Sequence, residues 1–259
     1  MNTELNKAGE IDERGWLNSW KAQGFDDNKC ISEFIANSID AKAKHISIHK
    51  NKDFFYYCDD GLGMNKKELI NMFNVYSSSN VTNRLGNFGF GTKPAQLNLS
   101  REKNTIIITK SKDDKFYTAN ADWKEMFKLS KYTGMIEISE SSDEHISLFN
   151  EYLKEQGTII IFPYDEKINN LLEKQFEVIK EQKNLIIPSE RFSMIFGRFD
   201  IKIFYNKKKL KMYNPLDDEL IKNELSSHVI NIYKDKKDNI RYITEDIRDD
   251  KTIDIEIYN

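Results

Sequence analysis

The chain has 259 residues, 39% of them hydrophobic and 31% charged, with a formal net charge of −3. That length suits one large domain or two of ordinary size with a real core, and the composition excludes a disordered chain. The small net charge does not demand a nucleic-acid partner, no apolar run reaches bilayer length, and the polar, acidic N-terminus is not a secretory signal, so we expect a soluble intracellular protein, cytoplasmic or nuclear, with no membrane contact.

Residues 27–43 read as a helix with Asp27 in its opening turn and Ile31, Phe34, Ile35, Ser38 and Ala41 on its packing face. Strand-like runs follow at 45–50 and 54–58, joined by Asn51-Lys52-Asp53 as a hairpin turn. Cys30 and Cys58, the two cysteines, lack metal-like spacing and fit small buried residues in a reducing compartment. The second strand runs into DDGLGM (59–64), and 65–76 has helical periodicity, with Asn65 as cap and Glu68 at the third helical position. Residues 77–92, SSSNVTNRLGNFGFGT, cannot build a core and read as a long functional loop. A helix is expected at 93–99, then strands at 105–110, 115–121, 134–139 and 157–164. Strands and helices without regular βαβ alternation predict an α/β sandwich on a mixed, mostly antiparallel sheet.

The texture changes after Pro163. A helix is expected over about 166–182, then a strand in DIKIFYN, a turn at NKKK, and strands at 228–234 and 252–258. We place a boundary at 165–175, giving a first domain over 1–168 and a second over 169–259. Ending on a strand pattern fits a second domain that is incomplete or closed by a partner. The basic runs Lys207-Lys208-Lys209 with Lys211, and Lys234, Lys236 and Lys237, read as solvated turns. Trp16, Trp20 and Trp123 read as packing anchors, and the four histidines form no pattern.

Three motifs carry chemistry. Glu33, Asn37 and Asp40 share one helical stripe with Lys29 and Lys44, which by itself reads as a solvent-facing stripe. In DDGLGM, Asp59 can accept a hydrogen bond from an exocyclic amine, as adenine offers, while Gly61 and Gly63 let backbone approach a flat ligand and Asp60 points elsewhere. In RLGNFGFGTK, glycines 86, 89 and 91 precede Lys93 and a helix start, an arrangement that suits phosphate oxygens. The spacing is not that of a P-loop, nor of a dinucleotide-binding βαβ unit.

Taken in order, E-x-x-x-N-x-x-D-A, D-x-G-x-G-M, G-x-F-G-x-G-x-K and G-T-I-I-I-F resemble the GHKL ATPase superfamily with its Bergerat fold, over roughly residues 15–215. The likeness is to the MORC-type branch, in LGNFGFGTKPA and in RFDIKIFYNKKKLKMYNPL, which is similar to its transducer segment. The resemblance implies a two-layer sandwich with helices on one sheet face, followed by part of an S5-like transducer domain. It implies ATP and Mg²⁺ as ligands, with Glu33 as general base and Asn37 as the magnesium ligand. Asp40 and Ala41 match positions near the adenine, Asp59 matches the adenine-reading carboxylate, and Gly61, Gly63 and Met64 form the pocket wall. Gly86, Asn87, Phe88, Gly89, Phe90, Gly91 and Thr92 match the ATP lid, Lys93 reaches the γ-phosphate, and Thr158 matches a threonine that shares a water with Asp59.

Two positions depart from the pattern: Ala36 stands where many relatives carry Asp or Glu, and Pro94 where a small residue is common. The family's second-domain lysine has four candidates, Lys207, Lys208, Lys209 and Lys234. The resemblance implies an ATP-gated homodimer acting on DNA or another protein. A nucleotide-sensing module with negligible turnover is the alternative; histidine-kinase-like phosphotransfer is disfavoured by the presence of Glu33.

Overall fold

A computed structural model describes residues 12–22, 25–74, 91–176, 178–181, 185–188, 200–210, 228–234, 240–246 and 251–255. Helix α1 (Glu13–Ala22) precedes α2 (Asp27–Asp40). Asp26 caps α2 by accepting from the Lys29 amide at 2.7 Å. The helix stops at Asp40 rather than 43, because Lys42 turns left-handed (φ 61°) and the chain swings into β1 (His45–Lys50). Asn51 closes the hairpin to β2 (Phe54–Asp59), its side-chain oxygen accepting from the amides of Asp53 and Phe54. In α3 (Lys66–Phe73), Asn65 and Glu68 form a reciprocal capping box. Then come α4 (Thr92–Leu99), β3 (Asn104–Lys110), β4 (Phe116–Asp122), α5 (Trp123–Leu129), β5 (Ile136–Glu140), α6 (Asp143–Tyr152), β6 (Gly157–Pro163) and α7 (Glu166–Phe176). Strands β7 (Val178–Glu181), β8 (Leu185–Pro188), β9 (Lys202–Tyr205), β10 (Lys208–Lys209), β11 (His228–Lys234), β12 (Ile240–Asp246) and β13 (Lys251–Ile255) complete the described residues.

The main sheet has eight strands in the order β10-β9-β1-β2-β6-β3-β4-β5. Every pairing is antiparallel except that of β9 with β1. This is the mixed, mostly antiparallel α/β architecture of the Bergerat ATPases. Alternation sets its two faces. Ile46, Ile48, Phe55, Tyr57, Ile107, Ile160 and Phe162 turn inward against Leu17, Trp20, Ile31, Phe34, Ile35 and Leu97 of the helices. Helices do not keep to that face alone. Helix α6 covers part of the other, where Phe149 and Leu153 pack on Cys58, Ile108, Ile159 and Ile161. Both cysteines are buried as free thiols.

Helix α7 ends at Phe176, and the second half of the helix expected there is strand β7, in which two β-branched residues, Val178 and Ile179, lead. Strands β9 and β10 return the chain to the main sheet, which therefore runs across the boundary drawn at residue 168. Their turn is at Asn206-Lys207, both left-handed (φ 45° and 67°), as a two-residue hairpin requires. Strands β7–β8 and β11–β12–β13 form two separate antiparallel sheets.

Helix α1 was not anticipated, yet it supplies a core aromatic. Trp20 is fully buried, edge-on to Tyr132 at 4.9 Å and to Trp123 at 6.5 Å between ring centroids. Trp20→Ala is expected to lower unfolding free energy by about 3–5 kcal/mol, read as a shifted midpoint in urea with an unchanged slope.

Candidate functional site

Helices α2 and α4 build the site. Arg101, just past α4, holds both carboxylate oxygens of Asp27 at the start of α2 (2.7 and 2.9 Å) and reaches Asp165 at 2.9 Å. At the other end, the Asn37 amide nitrogen donates to the Thr92 hydroxyl at 3.1 Å. The helices thus run antiparallel, with the N-terminus of α4 beside the C-terminal half of α2.

Five predicted residues, Glu33, Asn37, Gly91, Thr92 and Lys93, lie on the two helices at that end. Gly91 is the N-cap of α4 and, having no side chain, makes no side-chain cap bond to the first amides of the helix. Its Cα backs onto Glu33: a methyl at position 91 would lie 2.3 Å from Glu33 Oε2. Burial lifts the Glu33 carboxyl above its ordinary value, with Lys29 opposing the shift. Lys93 is buried to 1% exposure, and burial pulls its ammonium down to about 8. Since the Asn37 nitrogen is turned to Thr92, its Oδ1 is the atom left to serve a cation. Gly86, Asn87, Phe88, Gly89 and Phe90 lie outside the described residues.

The second group of residues lies at the end of β2. Asp59 is 6% exposed and accepts from the Ser38 hydroxyl at 3.0 Å and the Gly61 amide at 2.9 Å. Burial outweighs both bonds and pushes its carboxyl up to about 6. Ser38 follows Asn37 on α2, so one helical step joins the Asp59 end of the site to the phosphate-like end. Ser38 also meets the Tyr57 hydroxyl at 2.9 Å. Thr158 stands opposite Asp59 in the β2–β6 register and pairs with the Thr109 hydroxyl at 3.1 Å. Thr109 in turn accepts from the Met64 amide and donates to the Gly157 carbonyl. Asp60 does point elsewhere, accepting from the amides of Lys44 and His45 and from the His45 ring. Asp40 is the half-buried last residue of α2, and the Ala41 carbonyl accepts from the Leu62 amide.

The glycines of DDGLGM have a reason the sequence reading did not supply. A methyl on Gly61 would press on Asp59 Oδ1 and on the Ala41 methyl, at 2.7 and 2.9 Å. One on Gly63 (φ 63°) would overlap the Lys110 carbonyl. Both let the loop close on its own neighbours and so aim Asp59. Sequence reasoning missed Ser38, which it counted among packing residues, and Thr109. A hydroxyl on an otherwise apolar helix face was the available signal for Ser38. Of the second-domain lysine candidates, Lys208 pairs with Glu173 of α7 at 3.2 Å and, with Lys209, forms the short edge strand β10. Lys207 sits in the preceding turn, and Lys234 ends β11.

No helix among the described residues is long and apolar enough to cross a membrane. Residues 25–157, just over half of the chain, match the family described as histidine kinase-, DNA gyrase B-, and HSP90-like ATPase. A segment of 84 residues is 31% identical to ATPase morc-1 of Caenorhabditis elegans, covering 31% of this chain and 10% of that protein. The chain belongs to the histidine kinase-, DNA gyrase B- and HSP90-like ATPases, and among them it resembles the MORC-type branch.

Proposed function

We propose that this chain binds ATP with Mg²⁺ and hydrolyses it, and that nucleotide binding gates a homodimer whose C-terminal portion couples the cycle to DNA or to another protein. The observation that carries the reading is the placing of Glu33 and Asn37 of α2 against Gly91 and Thr92 at the N-terminus of α4, one helical step from the buried carboxylate Asp59.

The residues suit the ligand. Asp59 accepts from the exocyclic amine of adenine, and Ser38 and Gly61 fix its orientation. The Thr158 and Thr109 hydroxyls line the same end of the site. The α4 amides and Lys93 take the phosphate oxygens. Mg²⁺ keeps few protein ligands, so one neutral oxygen, Asn37 Oδ1, suits it; bound there, the ion would neutralise charge on the phosphates. Glu33 takes a proton from the attacking water as its oxygen bonds to the γ-phosphorus and ADP departs. Burial raises the proton affinity of the Glu33 carboxylate, which makes it a stronger base than an exposed one. A module that binds ATP without turnover is the second reading, and single-turnover hydrolysis with Mg²⁺ separates the two.

Glu33→Gln is expected to reduce single-turnover hydrolysis at least 100-fold with ATP affinity within about threefold of the unsubstituted chain. Unchanged turnover would refute the assigned base. Gly91→Ala tests the same point sterically. The backbone there is ordinary (φ −68°), so the added methyl displaces only the Glu33 carboxylate. Turnover should fall at least tenfold while the thermal midpoint is kept.

Asp59→Asn should separate binding from stability. Burial raises the folded carboxyl from 3.8 to about 6, so the empty protein loses stability as pH rises through that window and does not regain it above. The neutral amide escapes this. At pH 8 we expect Asp59→Asn to melt later, by about 1–3 kcal/mol, and to bind ATP at least 100-fold more weakly by calorimetry. Gel filtration with a non-hydrolysable ATP analogue, with and without DNA, tests the dimer and its cargo. An elution volume that the analogue does not change would count against gating.

A further inference from the structure

Gln96 belongs to no assigned role. It lies in the middle of α4 and is fully buried, and neither its Nε2 nor its Oε1 meets a hydrogen-bond partner among the described residues. A primary amide left so in a packed interior is costly, and an apolar residue of similar size would fill the place better. Three other buried side chains also leave one oxygen unpartnered, but Gln96 leaves both atoms of its amide so.

Its position follows from the antiparallel helix pair. Gln96 is one turn on from Thr92, so it shares the face that Thr92 presents to Asn37 of α2. One turn back along α2 from Asn37 is Glu33. Antiparallel helices place those two steps side by side, with Gln96 on the level of Glu33. Gln96 is also three residues from Lys93 and so neighbours it on the α4 surface. The Asn37–Thr92 bond and the Arg101–Asp27 pair fix this register independently, while the Glu33 carboxylate itself reaches toward Gly91 at the start of α4.

We propose that Gln96 is a positioning residue for Glu33: its Nε2 donates, through one buried water, to the carboxylate oxygen that faces away from the attacking water. The inference rests on the reading of Glu33 as general base. Held this way, the carboxylate presents its other oxygen to the water and stays ionised to lower pH. The titratable groups that act on it are Lys29, one turn earlier on α2, and the buried Cys30 thiol beside that residue. Without the amide donor, Glu33 gains protons more readily, and the acid limb of the pH–rate profile moves to higher pH.

The test uses the whole chain with Gln96→Met, nearly equal in shape, and Gln96→Leu should the first fold poorly. Mg-ATP affinity, single-turnover hydrolysis from pH 5 to 9 and the thermal midpoint are measured beside Glu33→Gln. We expect affinity within about threefold, a midpoint equal or higher, turnover at pH 7 lowered about tenfold or more, and an acid limb displaced upward. Turnover and limb both unchanged in Gln96→Met, while Glu33→Gln is inactive, would overturn the positioning role alone. Turnover indifferent to Glu33→Gln, or absent from the unsubstituted chain, would overturn the base assignment and the positioning role with it.

Discussion

The antiparallel seating of α4 on α2 is the constraint from which the site follows. A doubly hydrogen-bonded arginine–aspartate pair fixes one end, and a neutral amide–hydroxyl bond fixes the other. The strong end is remote from the chemistry and the weak end borders it. Arg101 and Glu102 sit in consecutive left-handed conformations immediately after α4, a strained pair that this clasp over-determines. The clasp also takes in Asp165, next to α7, so the helix bearing Lys93 is tied to the segment that leads to the C-terminal strands.

Three ionisable groups of the site are displaced in one direction, towards their neutral forms. Glu33 and Asp59 are held up and Lys93 is held down, and desolvation is the largest cause in each case. Asp59 is short of donors from the protein: two hydrogen bonds do not offset its burial. On the proposed function, a ligand that brings an amine to Asp59 and phosphates to Lys93 would restore what burial took away. The site is thereby organised ahead of binding at the expense of resting stability, a trade usual for functional sites.

Much of this was legible in the sequence, wherever local chemistry settles local structure. The Asn65–Glu68 capping box, the Asn51 hairpin and strands β1, β2, β3, β4 and β6 all follow from spacing and residue type. Helix α1 did not, since only Leu17 and Trp20 of its ten residues are buried and tertiary packing supplies its stability. Helices α5 and α6 are short and were passed over for the same reason. The far half of the expected 166–182 helix failed because Val178 and Ile179 favour a strand once they have a pairing partner in β8. At the site, spacing singled out Glu33, Asn37 and Asp59, whereas Ser38 and Thr109 join them through long-range hydrogen bonds that spacing does not encode.

The ends of the main sheet bear on how copies of this chain can meet. At one margin β10 has only two residues, and both are exposed lysines. At the other, β5 carries Glu137 and Glu140, the latter paired with Lys115 at 2.6 Å. Short, charged borders of this kind are poor templates for strand addition. Among the described residues, neither flank of the sheet therefore offers itself for extension by another strand.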